Sequence, residues 1–423
     1  MRPERARRHS ARRTAPTGVA VAVAVALALA GVLFLAPGSA RAEEGAAGTT
    51  PGPEPEAEPV HAPLKVTPVG YVEVYGAWNF NRPTNGITNY RGFDNRHATF
   101  TLSNAAAGAL FEAGPGGGKV LLQVGSTPSS YYSAEPGLAG AGGANATGSE
   151  LWKYLQEAYL TYRAPLGTGL LLQAGLCASP IGFESFAVKD NWNWSRSNLF
   201  FALPFYHTGV RATYEWTREW SSTVSVFNGW NSVVDNNEEK SVQTNTTYKP
   251  HDDVTITALY WGGIERTTGS REGPWWRHHF DVVAQANVTS FLSLAAQGDY
   301  GFEPNRMGTA RWWAAAAYAR VRAAKFLYLA VRGDRFTEHL ATDAARASAP
   351  LFWGGAEWVT SGTATVDLRP YDHVGFRLEG RHDVAEAPLY FRRAVVGDGS
   401  AAAPFVPNAR TQTTVLLGAT AWF

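Results

Sequence analysis

Few side chains in this sequence are spaced for bond-making chemistry. His278 and His279 are adjacent, so on an extended strand they face opposite sides and cannot chelate one metal together. His207, His373 and His382 stand alone. The single cysteine, Cys177, excludes a disulfide scaffold and a thiolate metal cluster, and reads as a small packing residue. A hydrolase of the barrel-phospholipase kind would need a serine with a histidine base, and Ser195 or Ser197 with His207 is the arrangement the chain offers. No G-x-S-x-G elbow supports it. The Gly-rich runs 114–118 and 137–148 lack the strand-to-helix context and lysine of a phosphate loop. No catalytic residue, cofactor or metal is expected.

The stretch 179–206 is different in kind. It carries Phe183, Glu184, Lys189, Asp190, Trp192, Trp194 and Arg196, acidic and basic groups mixed with large aromatics. Opposed charges across a narrow water path sort ions and orient polar solutes without reacting with them. Such a role needs a wall of inward-pointing polar groups, and the alternating segments of the chain provide one. In 207–217, His207, Gly209, Arg211, Thr213 and Glu215 oppose Thr208, Val210, Ala212, Tyr214 and Trp216. In 276–288, Arg277, His279, Asp281, Gln285 and Asn287 oppose Phe280, Val282, Ala284, Ala286 and Val288. In 373–383, Gly375, Arg377, Glu379, Arg381 and Asp383 oppose Val374, Phe376 and Leu378. Period-two alternation is the mark of a strand with one apolar and one wet face.

Sixteen such segments can be read, from 69–81 to 410–423. Those near 97–110 and 241–249 are weakly patterned, which leaves the count between 14 and 18. The gaps between them alternate in length. Short turns lie at Ala113-Gly114-Pro115-Gly116, Ala164-Pro165-Leu166-Gly167, Arg218-Glu219-Trp220, Pro250-His251-Asp252, Thr289-Ser290, Ala323-Ala324 and Arg369-Pro370-Tyr371-Asp372. Most other gaps are long: 82–96, 128–152, 179–206, 231–240, 263–275, 302–309, 337–352 and 384–409. Tryptophans gather near strand ends, Trp78, Trp261, Trp312, Trp313 and Trp353 among them, as interfacial girdles do. The expected fold is a closed, antiparallel, all-β transmembrane barrel of about sixteen strands, with short periplasmic turns and long extracellular loops. At that size the lumen holds water, and closure leaves no strand edge unpaired in lipid.

The N-terminus agrees with export. Six arginines precede an apolar run from Gly18 to about Leu35 and the small-residue exit Ala40-Arg41-Ala42, the layout of a cleavable signal peptide over 1–42. An uncleaved anchor is the alternative, since the run is near the lower length limit for a span. Loss of 1–42 removes seven arginines and one glutamate from 37 basic and 36 acidic side chains, leaving a net charge of about −5. No basic block remains for a nucleic-acid partner. Residues 43–68 are acidic and Pro-rich and read as a disordered linker, with structure beginning near Val69.

Several stretches carry a family likeness: Tyr75 with Asn79-Phe80-Asn81-Arg82-Pro83, Asn191-Trp192-Asn193-Trp194-Ser195-Arg196-Ser197, Pro204-Phe205-Tyr206-His207-Thr208-Gly209-Val210-Arg211, and Phe227-Asn228-Gly229-Trp230-Asn231. With Arg369-Pro370-Tyr371-Asp372 and Glu379-Gly380-Arg381-His382-Asp383, they resemble the putative β-barrel porin-2, OmpL-like family over most of 69–423. Between 260 and 360 only the strand pattern matches. The resemblance implies an outer-membrane pore for passive diffusion of small hydrophilic solutes or ions, and names no solute. Loop 179–206 is the expected constriction, with Glu184, Lys189, Asp190 and Arg196 facing Arg211, Arg377, Glu379 and Arg381 of the wall; the alternative is an external cap whose charges are ordinary solvated positions. The terminal Phe423 looks like the targeting signal of such barrels. The partners expected are outer-membrane lipid and the barrel assembly machinery, with a homotrimer and a monomer both left open by the sequence. A structural or adhesive barrel with an occluded lumen, acting through its loops, is the alternative.

Overall fold

The computed structural model describes residues 62–137, 147–354 and 356–423. The expected signal peptide and most of the expected linker lie outside these residues. Sixteen strands follow in order: β1 (Lys65–Asn79), β2 (Thr99–Ala113), β3 (Gly116–Val124), β4 (Leu155–Ala164), β5 (Leu170–Ala178), β6 (Tyr206–Glu215), β7 (Trp220–Phe227) and β8 (Ser241–His251) make one half. The other half is β9 (Val254–Ile264), β10 (Trp276–Asn287), β11 (Leu292–Asn305), β12 (Gly308–Ala324), β13 (Leu327–His339), β14 (Trp358–Tyr371), β15 (Val374–Ala385) and β16 (Thr411–Trp422). Each strand pairs antiparallel with its sequence neighbour, and β1 pairs with β16 to close the barrel. Both segments that were weakly patterned in sequence are strands, so the count is sixteen.

Burial follows the alternation. In β15, Gly375, Arg377, Glu379, Arg381 and Asp383 are buried while Phe376, Leu378, Gly380 and His382 are exposed. In β10, Arg277, His279 and Asp281 are buried while Phe280 and Val282 are exposed. A polar interior under an apolar exterior inverts the soluble arrangement, and lipid outside with water inside satisfies both faces. His278 faces outward beside the Tyr260 hydroxyl, 2.9 Å away, and His279 faces the interior.

Three sequence expectations need correcting. The first strand begins at Lys65, four residues before Val69, and includes Pro68. The Gly70 N–H points to β16, where it donates to the Phe423 carbonyl at 3.2 Å. Pro68 therefore faces the same way, beyond the last residue of β16, where a missing N–H leaves nothing unpaired. The gap expected over 302–309 is a tight hairpin, because β11 and β12 run on to Asn305 and Gly308. Nor do all tryptophans form girdles. Trp313 is exposed, but its neighbour Trp312 must face inward and is buried, as are Trp261 and Trp353.

Candidate functional site

The third long connection, between β5 and β6, lies inside the barrel, held by side chains that point inward from the wall. Arg377 donates to the carbonyls of Val188 (2.9 Å), Asn193 (3.1 Å) and Asn191 (2.7 Å). Two residues along, Glu379 accepts the backbone N–H groups of Trp194 (2.5 Å) and Ser195 (2.9 Å). Arg381 donates to the Arg196 carbonyl and to Asn198 Oδ1. From β13, Arg332 meets Glu184 at 2.8 Å and Asp334 accepts from the Asn198 backbone and side chain. Across the seam Glu73 accepts the Val188 N–H at 2.6 Å, and from β11 Gln297 accepts that of Phe183 at 2.9 Å.

This pattern follows from the loop having little regular structure. Its backbone groups have no ladder to join, and buried without partners each would be costly. The charges that serve them are satisfied in turn: Arg332 by Glu184 and Asp334, Arg377 by Asp367, Arg381 by Asp383. Packing completes the seat. Trp194 is buried against Tyr75, Val188 and Leu416, and a Cβ at Gly418 would come within 2.3 Å of its ring.

The expected constriction charges therefore divide. Glu184, Arg196, Arg377, Glu379 and Arg381 are buried in the clamp and do not face one another across water. Arg196 turns back on its own loop, donating to the carbonyls of Ser185, Trp194 and Phe186, with its guanidinium over Phe93 and Phe200. Lys189 and Asp190 remain accessible, joined to each other at 2.8 Å, with side chains 27% and 49% exposed. Arg211 is half-buried on the far wall, bonded to Gln173 at 3.1 Å.

Where the loop's free edge approaches β3 and β4, a cavity of about 260 Å³ opens. Its lining includes Tyr71, Lys119, Gln156, Glu157, Lys189 and Asp190. Lys119 pairs with Glu157 on the wall, so two lysines and two carboxylates border one space. Lys119 and Glu157 had no local signature in the sequence. Inward parity on β3 and β4, once those strands were registered, was the signal that could have found them.

The lower wall of the lumen, toward the short turns, is uncharged over much of β6 to β9. Thr213, Thr223, Asn245, Thr247 and Thr257 face inward and are partly exposed. Hydroxyl pairs tie neighbours together, Thr213 to Thr223 at 2.8 Å and Thr247 to Thr257 at 3.1 Å. Toward the long loops, by contrast, the interior is packed. His207 lies buried against the rings of Phe227 and Trp261, and Cys177 packs in the same cluster. The serine–histidine pairings considered from the sequence are not formed. Ser195 Oγ receives a bond from Arg332, Ser197 Oγ donates to Glu184, and the hydroxyl at His207 belongs to Ser179. Among the described residues no His, Cys, Asp and Glu group is arranged to hold a metal.

Outside the strands, two loop carboxylates are tuned in opposite directions. Burial pushes Glu135 up, against the lowering by the Tyr206 hydroxyl and the N–H groups of Val233 and Val234. Burial would raise Glu272 too, but the Ala349 N–H and Arg271 outweigh it and hold this carboxyl at about 2.

A closed sixteen-stranded barrel with a long loop folded inside it is the frame, and comparison identifies the lineage. Residues 65–423 match the model of the putative beta-barrel porin-2, OmpL-like family. The chain belongs to that family. No curated protein matches the sequence. Among solved structures, this porin is similar to the outer membrane channel DcaP of Acinetobacter baumannii, with a TM-score of 0.54 at 11% identity, covering 85% of this chain and 97% of that one. It is also similar to an anion-selective porin from Comamonas acidovorans, at 0.53 and 11% over 85% and 100% of the two chains. OmpT of Vibrio cholerae in its trimer form aligns at 0.53 and 10% over 85% and 99%. At these identities the likeness is one of fold. The family and the barrel place this porin in the bacterial outer membrane, as a pore for passive diffusion.

Proposed function

We propose that solutes pass this porin's narrowest point between the free edge of the inserted loop and the β3–β4 wall, with Lys189 and Asp190 on one side and Lys119 and Glu157 on the other. One observation carries this reading. These four charges border a common cavity, with Lys119, Lys189 and Asp190 in reach of water, whereas Arg332, Arg377, Glu379 and Arg381 of the wall are buried against the loop. Two cations and two anions at the constriction give it no net charge. Selectivity is then weak, and polar solutes with both kinds of group are oriented rather than repelled. Below this level the hydroxyl-lined wall of β6 to β9 forms a neutral vestibule for small hydrophilic solutes or ions, with Arg211 at its upper edge.

In this reading the short turns face the periplasm and the long loops the exterior. Residues 1–42 act as the signal peptide, and Phe423 is the mark read by the barrel assembly machinery. No chemical step is required of any residue. Assembly as a homotrimer is the proposed oligomeric state, supported by the trimer form of the Vibrio cholerae neighbour.

The test is single-channel recording of refolded residues 43–423 in a planar bilayer under a salt gradient. Stable conductance steps with weak ion preference are expected, and Lys119→Gln should move the reversal potential. A folded barrel that conducts nothing would return the reading to an occluded barrel acting through its loops.

A further inference from the structure

One stretch of the outer wall combines small residues with arginines at its rim. Across β13 to β16 and the end of β1, glycines and an alanine recur among the registered outward positions: Gly362 pairs with Gly333 and His382, and His382 with Thr413. One row lower, Ala364 pairs with Gly380, Gly380 with Val415, and Val415 with Trp78. No atom lies within 4 Å of where a Cβ would stand on Gly333, Gly362 or Gly380. The result is a shallow, open groove of about 590 Å³ lined by Phe80, Gly362, Ala364, Gly380, His382 and Val415.

Arginines stand at the rim above it. Arg82 places its guanidinium carbon 5.8 Å from the Trp78 ring centroid, and Arg392 donates to Thr411 Oγ1, on the outward side one step above Thr413. Arg393 is exposed beside them. Their backbones are fixed. Arg393 N–H donates to Asn81 O at 3.0 Å, Thr84 N–H to Arg393 O at 2.9 Å, and Asn81 Nδ2 to Thr411 O at 2.7 Å. Both Arg82 and Arg393 hold a φ of 50°, a conformation that side chains other than glycine adopt at a cost. Among the ion pairs of the described residues none involves Arg82, Arg392 or Arg393, and the carboxylates of that rim, Glu357 and Glu386, pair with none of them. The field is positive enough to act on a neighbour: burial, then the Arg82 charge, holds His97 below its ordinary range.

We propose that this seam binds an anionic, phosphate-bearing lipid of the surrounding leaflet, with its phosphate between Arg82 and Arg392 and an acyl chain in the groove beneath Phe80. Charge complementarity selects this occupant. A free anion would answer the arginines and leave the groove unfilled. Arginine is suited to phosphate through its paired N–H donors, and each such charge near a membrane surface adds to lipid attraction.

The test uses the refolded full barrel in micelles, with bound lipid read by native mass spectrometry. The probes are phosphatidylglycerol, zwitterionic phosphatidylcholine and inorganic phosphate. Phosphatidylglycerol should be retained in preference to phosphatidylcholine. Arg82→Gln with Arg392→Gln should weaken retention about tenfold, and Gly380→Leu, filling the groove, should weaken it with the arginines intact. Bilayer conductance of each variant reports that the barrel has folded. Equal retention of both lipids, or variants that bind as the parent does, would overturn the proposal. So would full displacement by inorganic phosphate, which would mark a head-only anion site, or loss of oligomers in Gly380→Leu with lipid retention unchanged, which would give the groove to a second copy.

Discussion

Along β13 to β15 the inward side chains are Arg332, Asp334, Thr363, Thr365, Arg377, Glu379 and Arg381, all buried. Along β6 to β9, in the half toward the short turns, most are uncharged, among them Thr213, Thr223, Asn245, Thr247 and Thr257, all partly exposed. The charged wall grips a loop and the neutral wall meets water. Charge inside a barrel thus does two jobs, and burial tells them apart. Ionic groups that touch orphaned backbone atoms are anchors, and those facing open space can act on a solute.

The largest effect expected of this contrast is at Arg377. Arg377→Ala would leave three loop carbonyls and Asp367 without it, a loss of about 3–5 kcal/mol by comparison with other buried ionic groups. The check is the urea midpoint of the refolded barrel, together with a rise in conductance as the loop loosens; an unchanged midpoint would erase the distinction between the walls. Next come the charges at the free edge. A unit charge a few ångströms from the path in water is worth about 1 kcal/mol, so Asp190→Asn and Lys189→Gln should shift the permeability ratio about fivefold in opposite directions. Arg196→Gln sharpens the point, since it should lower the midpoint and leave the reversal potential where it was. On the neutral wall, Thr223→Lys should alter stability by no more than about 0.5 kcal/mol and move selectivity only slightly, and a large loss there would show that wall to be an anchor as well.

The smallest effect concerns the long-loop rim. Glu272, held at about 2 against an ordinary value near 4.5, contributes stability that is present above the ordinary value and lost as pH falls toward 2. The protection factor of the Ala349 amide, its exchange rate relative to an unstructured amide at the same pH, should therefore fall on acidification through that interval, and Glu272→Gln should flatten the dependence.

The strands were legible because lipid and water impose period two over long stretches. β10 and β15 show the pattern without any help from their neighbours. The inserted loop was legible as an oddity, from its length and its mixture of charge and tryptophan. Its seating was not. Glu184 finds Arg332, and Trp194 finds Glu379, across well over a hundred residues of sequence, and nothing local in either stretch encodes the meeting. Arg196 misled for the same reason: a guanidinium in a polar loop looks like a pore charge until the carbonyls around it are seen. The pair Trp312 and Trp313 shows the limit from the other side. Adjacent identical residues cannot both belong to one girdle, and parity alone sends one to lipid and one to the interior.

The anchoring wall reads mostly main chain. Arg377 holds the carbonyls of residues 188, 191 and 193, and Glu379 holds the amides of 194 and 195, atoms that every residue type except proline supplies in full. Descendants of this chain can therefore exchange side chains on the exposed edge of the loop, at positions such as 189 and 190, while inheriting the same seat. Diversification of what passes through is thereby uncoupled from the survival of the barrel that it passes through.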